Sequence, residues 1–297
     1  MQTADAIRRR LEATEDLRSI VQTMKALATV SIRQYEEAAA SVEEYAHAVD
    51  LGMRALLRLR PDAIREVSAT TATRPAALVF GSDQGLCGAF NEQIAARFLE
   101  KQESGEGGGP VIAVGTRVAA RLQDVGVPLA DAFTLPASAP MIGTLVGQIL
   151  ERIDAWRASG EHDGVHLYFN RSDPRGIYQP HDEVLLPLPA SHLRSLAAMP
   201  WRPRGLPALA TDWEALLSAV VQEHLFAKLH RAIAQSMASE HAARRAAMHS
   251  AERNIDDRLA ALRAEFNQHR QSAITTELLD IVSGYEVLRD EEGDGGG

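Results

Sequence analysis

The residues best placed to do chemistry stand together at Gly81-Ser82-Asp83-Gln84-Gly85-Leu86-Cys87-Gly88. An apolar run precedes them and a helical stretch follows, a position where backbone amides and a helix N-terminus can hold a phosphate. The glycine spacing is G-x-x-x-G-x-x-G rather than G-x-G-x-x-G, and no Gly-Lys-Ser/Thr follows. That spacing favours a tight turn and close helix packing over a nucleotide cradle. Cys87 is the chain's one cysteine, which excludes an internal disulfide framework and a Cys-rich zinc site. No basic cluster adjoins it in sequence, so it reads as a small packed side chain. The 10 histidines are scattered and form no H-E-x-x-H motif. His162 with His166, and His224 with His230, lack further ligands at metal spacing and are expected on the surface. Neither G-x-S-x-G nor a paired-carboxylate signature stands out. Asp173-Pro174-Arg175-Gly176 reads as a turn carrying exposed charges. The chain is therefore expected to hold no catalytic residue, no cofactor and no metal.

The elements that position the glycine-rich stretch are those of an α/β domain. Short apolar runs at 76–80, 111–114, 165–169 and 183–186 read as strands, with a weak extra strand at 130–135. Helical stretches fall between them at 89–103, 116–125 and 139–158. Strands alternating with helices predict βαβ units and a mainly parallel sheet covered on its faces. All 13 prolines lie between Pro61 and Pro207. Proline breaks helices, so the ends of the chain read as long helices flanking a middle rich in breakers.

Both ends repeat on a heptad. Thr14, Val21, Ala28, Tyr35, Val42, Val49 and Leu56 form one row, and Leu17, Met24, Ser31, Ala38, Tyr45 and Gly52 the row beside it. Steps of three and four also run through Met237, Met248, Ala251, Ile255, Leu259, Leu262, Phe266, Ala273, Leu278, Ile281, Tyr285 and Leu288. Such rows predict a coiled-coil seam, with Thr211 and Asp212 capping the second helix. At 1.5 Å per residue the helices would span roughly 80 Å and roughly 115 Å. A globule of this size has a radius of gyration of about 19 Å. They are expected to pair antiparallel and project. The fold class is thus α/β: an antiparallel coiled coil of N- and C-terminal helices around a central Rossmann-like domain. Its predicted divisions are a first helix over 1–60, a foot domain over 61–209, a second helix over 210–290 and a disordered acidic tail over 291–297.

Charge narrows the partners. A net charge of −9 and a pI near 5.6 argue against a general nucleic-acid binder. The first thirty residues contain neither a signal peptide nor a membrane span, which predicts a soluble cytosolic chain without direct membrane insertion.

Three segments carry a family resemblance. Residues 81–91, extending the glycine stretch through Ala89-Phe90-Asn91, resemble the S-D-x-G-L-C-G-x-F-N signature of the gamma subunit of F-type ATP synthases. Its residues here are Gly81, Ser82, Asp83, Gly85, Leu86, Cys87, Gly88, Phe90 and Asn91. Arg270-Gln271-Ser272-Ala273-Ile274-Thr275-Thr276-Glu277, continuing to Ile281-Val282-Ser283-Gly284, is similar to that family's A-R-Q-A-x-I-T-x-E … I-V-S-G ending. Ala243-Arg244 and Ala247-Met248 echo its A-R-M-x-A-M. The resemblance covers the chain in order and length. It implies a non-catalytic central shaft coupling ion flow to ATP synthesis or hydrolysis, with three alpha and three beta subunits, an epsilon subunit and the membrane c-ring as partners. It also implies a peripheral location on the cytoplasmic side of a bacterial inner membrane. Met24, Arg244, Arg270, Gln271 and Thr275 match positions that contact a beta subunit in the family, while the signature residues are expected to shape the foot. The stretch 19–33 is poorer in lysine than the family pattern, which implies a divergent bacterial branch. The competing reading is an α/β enzyme or adaptor with a coiled-coil arm.

Overall fold

The computed structural model describes residues 4–62, 64, 74–105, 107–159, 164–173, 178–201, 205 and 212–294. Helix α1 (Ala4–Leu59) is followed by β1 (Ala76–Phe80), α2 (Phe90–Glu103), β2 (Val111–Val114), α3 (Thr116–Asp124) and β3 (Asp131–Phe133). A 3₁₀ turn leads into α4 (Ile142–Ser159), then β4 (Val165–Ser172), β5 (Tyr178–Leu186), α5 (Ala190–Ala198) and α6 (Trp213–Asp294). His162, Arg175 and Thr211 lie outside the described residues, as does most of the turn at 173–176. Helix α6 runs through Asp294, four residues into the segment read from sequence as a disordered tail. Glu291 and Glu292 are good helix formers, so the charge run does not by itself end the helix. Residues 295–297 lie outside the described residues.

The chain divides into two compact units, one of residues 1–26 with 248–297 and one of residues 27–247. The larger holds a five-stranded sheet in the order β3-β2-β1-β4-β5. The first four strands are parallel and β5 is antiparallel to β4. Side chains alternate across a strand, and both faces here are covered. Ala77, Val79, Val111, Ala113 and Tyr168 face α2 and α3 through Ile94, Phe98, Val118 and Leu122. Leu78, Phe80, Ile112, Val114, Leu167 and Phe169 face the other way. There they meet α4, α5 and the long helices through Val146, Ile149, Leu193, Leu229, Ile233, Met53 and Leu57. Burial on both faces is why β1 and β2 read as unbroken apolar runs.

The short strand predicted at 183–186 starts five residues earlier, at Tyr178. Its first half carries Pro180, His181 and Asp182, which an edge strand tolerates because one side of its backbone needs no partner. Helix α5 carries no sequence expectation at all. Its nine residues follow Pro187 and Pro189 and precede Pro200, in a stretch rich in helix breakers.

In the larger unit α1 and α6 run antiparallel, with Tyr35 opposite His241, Glu43 opposite Arg231 and Arg60 opposite Glu214. Trp213, at the start of α6, is buried and donates its indole N–H to the Leu56 carbonyl at 3.3 Å. The Asp212 carboxylate caps the helix, accepting from the amides of Glu214 and Ala215. In the smaller unit Glu15, Arg18 and Lys25 pair with Arg263, Asp256 and Glu252, again antiparallel.

One heptad row is buried at Val21, Ala28, Tyr35, Val42, Val49 and Leu56, with Thr14 at its start half-buried. The adjacent row is not, since Leu17 and Tyr45 are exposed. A single partner helix covers a narrow stripe, and small residues such as Ala28 let it sit over one row. The second seam fades after Leu262: Ala273, Leu278 and Ile281 are exposed rather than paired.

Candidate functional site

At the end of β1 the chain turns under tight constraint. A Cβ on Gly81 would stand 2.3 Å from Val118 Cβ and 2.5 Å from Asn91 Oδ1, so only glycine lets β1 pass this close to α2 and α3. The Ser82 amide donates to Asn91 Oδ1 at 2.9 Å. Asn91 Nδ2 donates to Ser82 Oγ at 2.8 Å, and that hydroxyl donates to the Gln84 carbonyl at 2.8 Å. Asp83 ties the loop to two further segments, accepting from the Thr116 amide at 2.7 Å and the Leu135 amide at 2.8 Å. Leu86 and Gly88 adopt left-handed backbone, with φ of 62° and 63°. Leu86 is 61% exposed at the tip of the loop. Cys87 is buried against Phe90 and Ala243, and burial pushes its thiol pKa up.

This geometry decides what the loop does. The Gly81 amide is spent on the Val114 carbonyl at 2.8 Å and the Ser82 amide on Asn91. Two of the loop's amides are thus already donating within the chain. Gly81, Ser82, Asp83 and Asn91 thus build a mount that holds the loop against α2 and α3.

The mount is fastened to α6 by Arg244. That residue is 5% exposed and donates to Glu240 Oε1 at 2.6 Å, one turn back on the same helix. Its Nη2 also reaches the carbonyls of Gln84 and Gly85, each at 3.4 Å, and its Nη1 donates to His241 Nδ1 at 3.2 Å. Burial, and then the charge of Arg244, hold the His241 pKa down at about 4. A neutral ring with Nδ1 free to accept matches that bond. The ring stacks on Tyr35 of α1, centroids 5.5 Å apart and planes within 9°. Burial pushes the Glu240 carboxyl up, and Arg244 opposes it. Sequence reading missed Glu240, His241 and Tyr35 as members of this cluster. The opposite charges of Glu240 and Arg244 at i,i+4 carry a signal for the pair; nothing in sequence joins them to a loop 160 residues away.

The five residues expected at a beta-subunit contact fall in different places. Met24 is half-buried in the smaller unit. Arg270, Gln271 and Thr275 are exposed along one stretch of α6, and Thr275 Oγ1 donates to the Gln271 carbonyl at 2.9 Å. Arg244 is not on a solvated face; its donors are engaged inside its own chain. His224, expected on the surface, is buried beside Asp50 and His192. The apolar residues Ile274, Leu278, Leu279, Ile281 and Val282 lie exposed beside Arg270 and Thr275 in sequence.

The sequence profile of the ATP synthase family matches residues 3–288. The chain belongs to the ATP synthase gamma family. It is 29% identical over 295 residues to the ATP synthase gamma chain of Methylibium petroleiphilum, covering 97% of this chain and 100% of that one. The gamma chain of Xanthomonas oryzae pv. oryzae is 26% identical over 287 residues, with 95% and 98% covered. Among solved structures, a chain of the Euglena gracilis mitochondrial ATP synthase superposes with a TM-score of 0.65 at 16% identity, over 97% of this chain and 95% of that one. A central-stalk chain of the Tetrahymena thermophila enzyme gives a TM-score of 0.59 at 19% identity, covering 78% and 99%. No helix among the described residues is long and apolar enough to cross a membrane.

Proposed function

We propose that this chain turns as the central shaft inside a ring of three alpha and three beta subunits. Its foot rests on an epsilon subunit and a membrane ring of c subunits, at the cytoplasmic face of a bacterial inner membrane. Family membership supports the role. The observation that carries it is the end of α6, where Ile274, Leu278, Leu279, Ile281 and Val282 are exposed next to Arg270 and Gln271. An apolar strip of this kind marks a partner surface. The shaft itself supplies no catalytic site. It acts by touching one state of a beta subunit more favourably than another, and only such a difference shifts a conformational equilibrium.

Met24, Arg270, Gln271 and Thr275 are the contacts we assign to a beta subunit. Arg270 offers a planar fork of donors suited to a carboxylate. Arg244 belongs with the foot instead, since it would have to leave Glu240 and the Gly85 carbonyl to reach outward.

Two measurements test this reading. Native purification should return alpha and beta subunits at three each to one of this chain. In the assembled complex Arg270→Ala should slow ATP turnover while assembly persists, by about 1–3 kcal/mol in barrier for a lost charged hydrogen bond. Unaltered turnover in Arg270→Ala and Gln271→Ala would reduce the chain to a passive scaffold.

A further inference from the structure

Three polar side chains from three helices converge in the larger unit, away from the signature loop. Asp50 comes from α1, His192 from α5 and His224 from α6, and one donor atom of each lies within 4.8 Å of the others. His224 is 6% exposed. Asp50 Oδ1, His192 Nε2 and His224 Nε2 are all buried without a hydrogen-bond partner. His224 Nδ1 stands 3.5 Å from Asp50 Oδ1, an ion-pair distance. The two imidazoles are 5.3 Å apart and tilted by 42°, so they are not stacked on each other. A buried polar atom without a partner costs about 1–3 kcal/mol. Two imidazoles, each with an orphaned Nε2, beside a buried carboxylate call for a further partner.

We propose that Asp50, His192 and His224 form a zinc-type divalent-cation site that fastens the short helix α5 to the two long helices. Two imidazoles and one carboxylate are the donor set of a tetrahedral zinc ion with an open position. Ligand atoms about 2.1 Å from a tetrahedral ion stand about 3.4 Å apart, so side-chain shifts of about 1 Å close the site. A cavity of about 260 Å³ beside the three residues has room for water as the fourth ligand. Lys228 and Arg231 also line that cavity and would repel a cation if left uncompensated. Arg231 is held by Glu43 at 3.6 Å and Glu183 at 3.7 Å. Burial pushes the Lys228 ammonium pKa down, and its Nζ is directed to the Val184 carbonyl.

The site stands apart from the rotary reading and holds or falls without it. The test uses the full chain without a histidine tag, stripped by a chelator and titrated with Zn²⁺ by calorimetry, and with Co²⁺ by absorption. One equivalent of zinc should bind, Co²⁺ should give the intense bands of a tetrahedral site, and zinc should raise the melting temperature. His224→Ala should abolish the Co²⁺ bands. His192 is half-exposed on a short helix, so His192→Ala tests the site with less risk to the core. It should weaken zinc at least about tenfold, with an unchanged far-UV circular dichroism spectrum. Failure to take up zinc, or equal uptake by wild type, His192→Ala and Asp50→Asn, would overturn the proposal.

Discussion

At the scale of single residues, His241 shows how burial sets a charge state and the charge state a stability profile. Its ring is neutral because it is buried and because Arg244 donates to Nδ1. The folded pKa of about 4 lies below the ordinary value of 6.5. Between these values the unfolded chain binds a proton that the folded chain refuses, so stability falls as pH drops from about 6.5 to about 4 and then levels off. The His241 contribution is on the order of 2–3 kcal/mol over that window. Comparing urea midpoints at pH 7 and pH 4.5 checks it: His241→Gln should lose less stability on acidification than wild type, and an equal loss would contradict the assignment. Gly81 belongs to the same scale. Its place in the glycine spacing is legible in sequence, but the reason, a Cβ colliding with Val118, exists only once α3 is packed.

Among the elements, the informative joint is the one between the loop after β1 and helix α6. Arg244 and Glu240 are both nearly sealed from water. Replacing Arg244 by alanine would strand a buried carboxylate and leave the Gln84 and Gly85 carbonyls short of a donor, a cost of about 3–5 kcal/mol. Replacing both by methionine should cost much less, since no charge is left unpaired. A double-mutant cycle read by chemical denaturation measures the difference; equal losses in the single and double variants would show the pair to be loosely held. The joint also marks where sequence reading stops. Strands β1 and β2 and the row from Val21 to Leu56 were legible because local period reports local burial. Helix α5 was not, because prolines flank it, nor were the polar half of β5 and the exposure of Leu17 and Tyr45, because edge position and the width of a partner's stripe are set by distant parts of the chain. The Asp50–His192–His224 cluster was hidden for the same reason: its members lie 142 and 32 residues apart in sequence, while the eye looks for metal ligands a few residues apart.

Across the whole molecule, burial is uneven along the last helix. Leu259 and Leu262 are buried, whereas Ile274, Leu278, Leu279, Ile281 and Val282 are about half exposed or more. A helix gains most of its stability from a packed face, so the stretch beyond 270 should open readily in the isolated chain. Limited proteolysis should cut there first and spare 213–262, and assembly with partner subunits should suppress the cut. Cleavage that begins within 213–262, or that is indifferent to assembly, would contradict this ordering. The exposed strip also bears on supply. Any copy synthesised ahead of its partners carries that apolar surface uncovered, open to chaperones and proteases. Copies in excess of their partners should therefore be degraded faster than assembled ones.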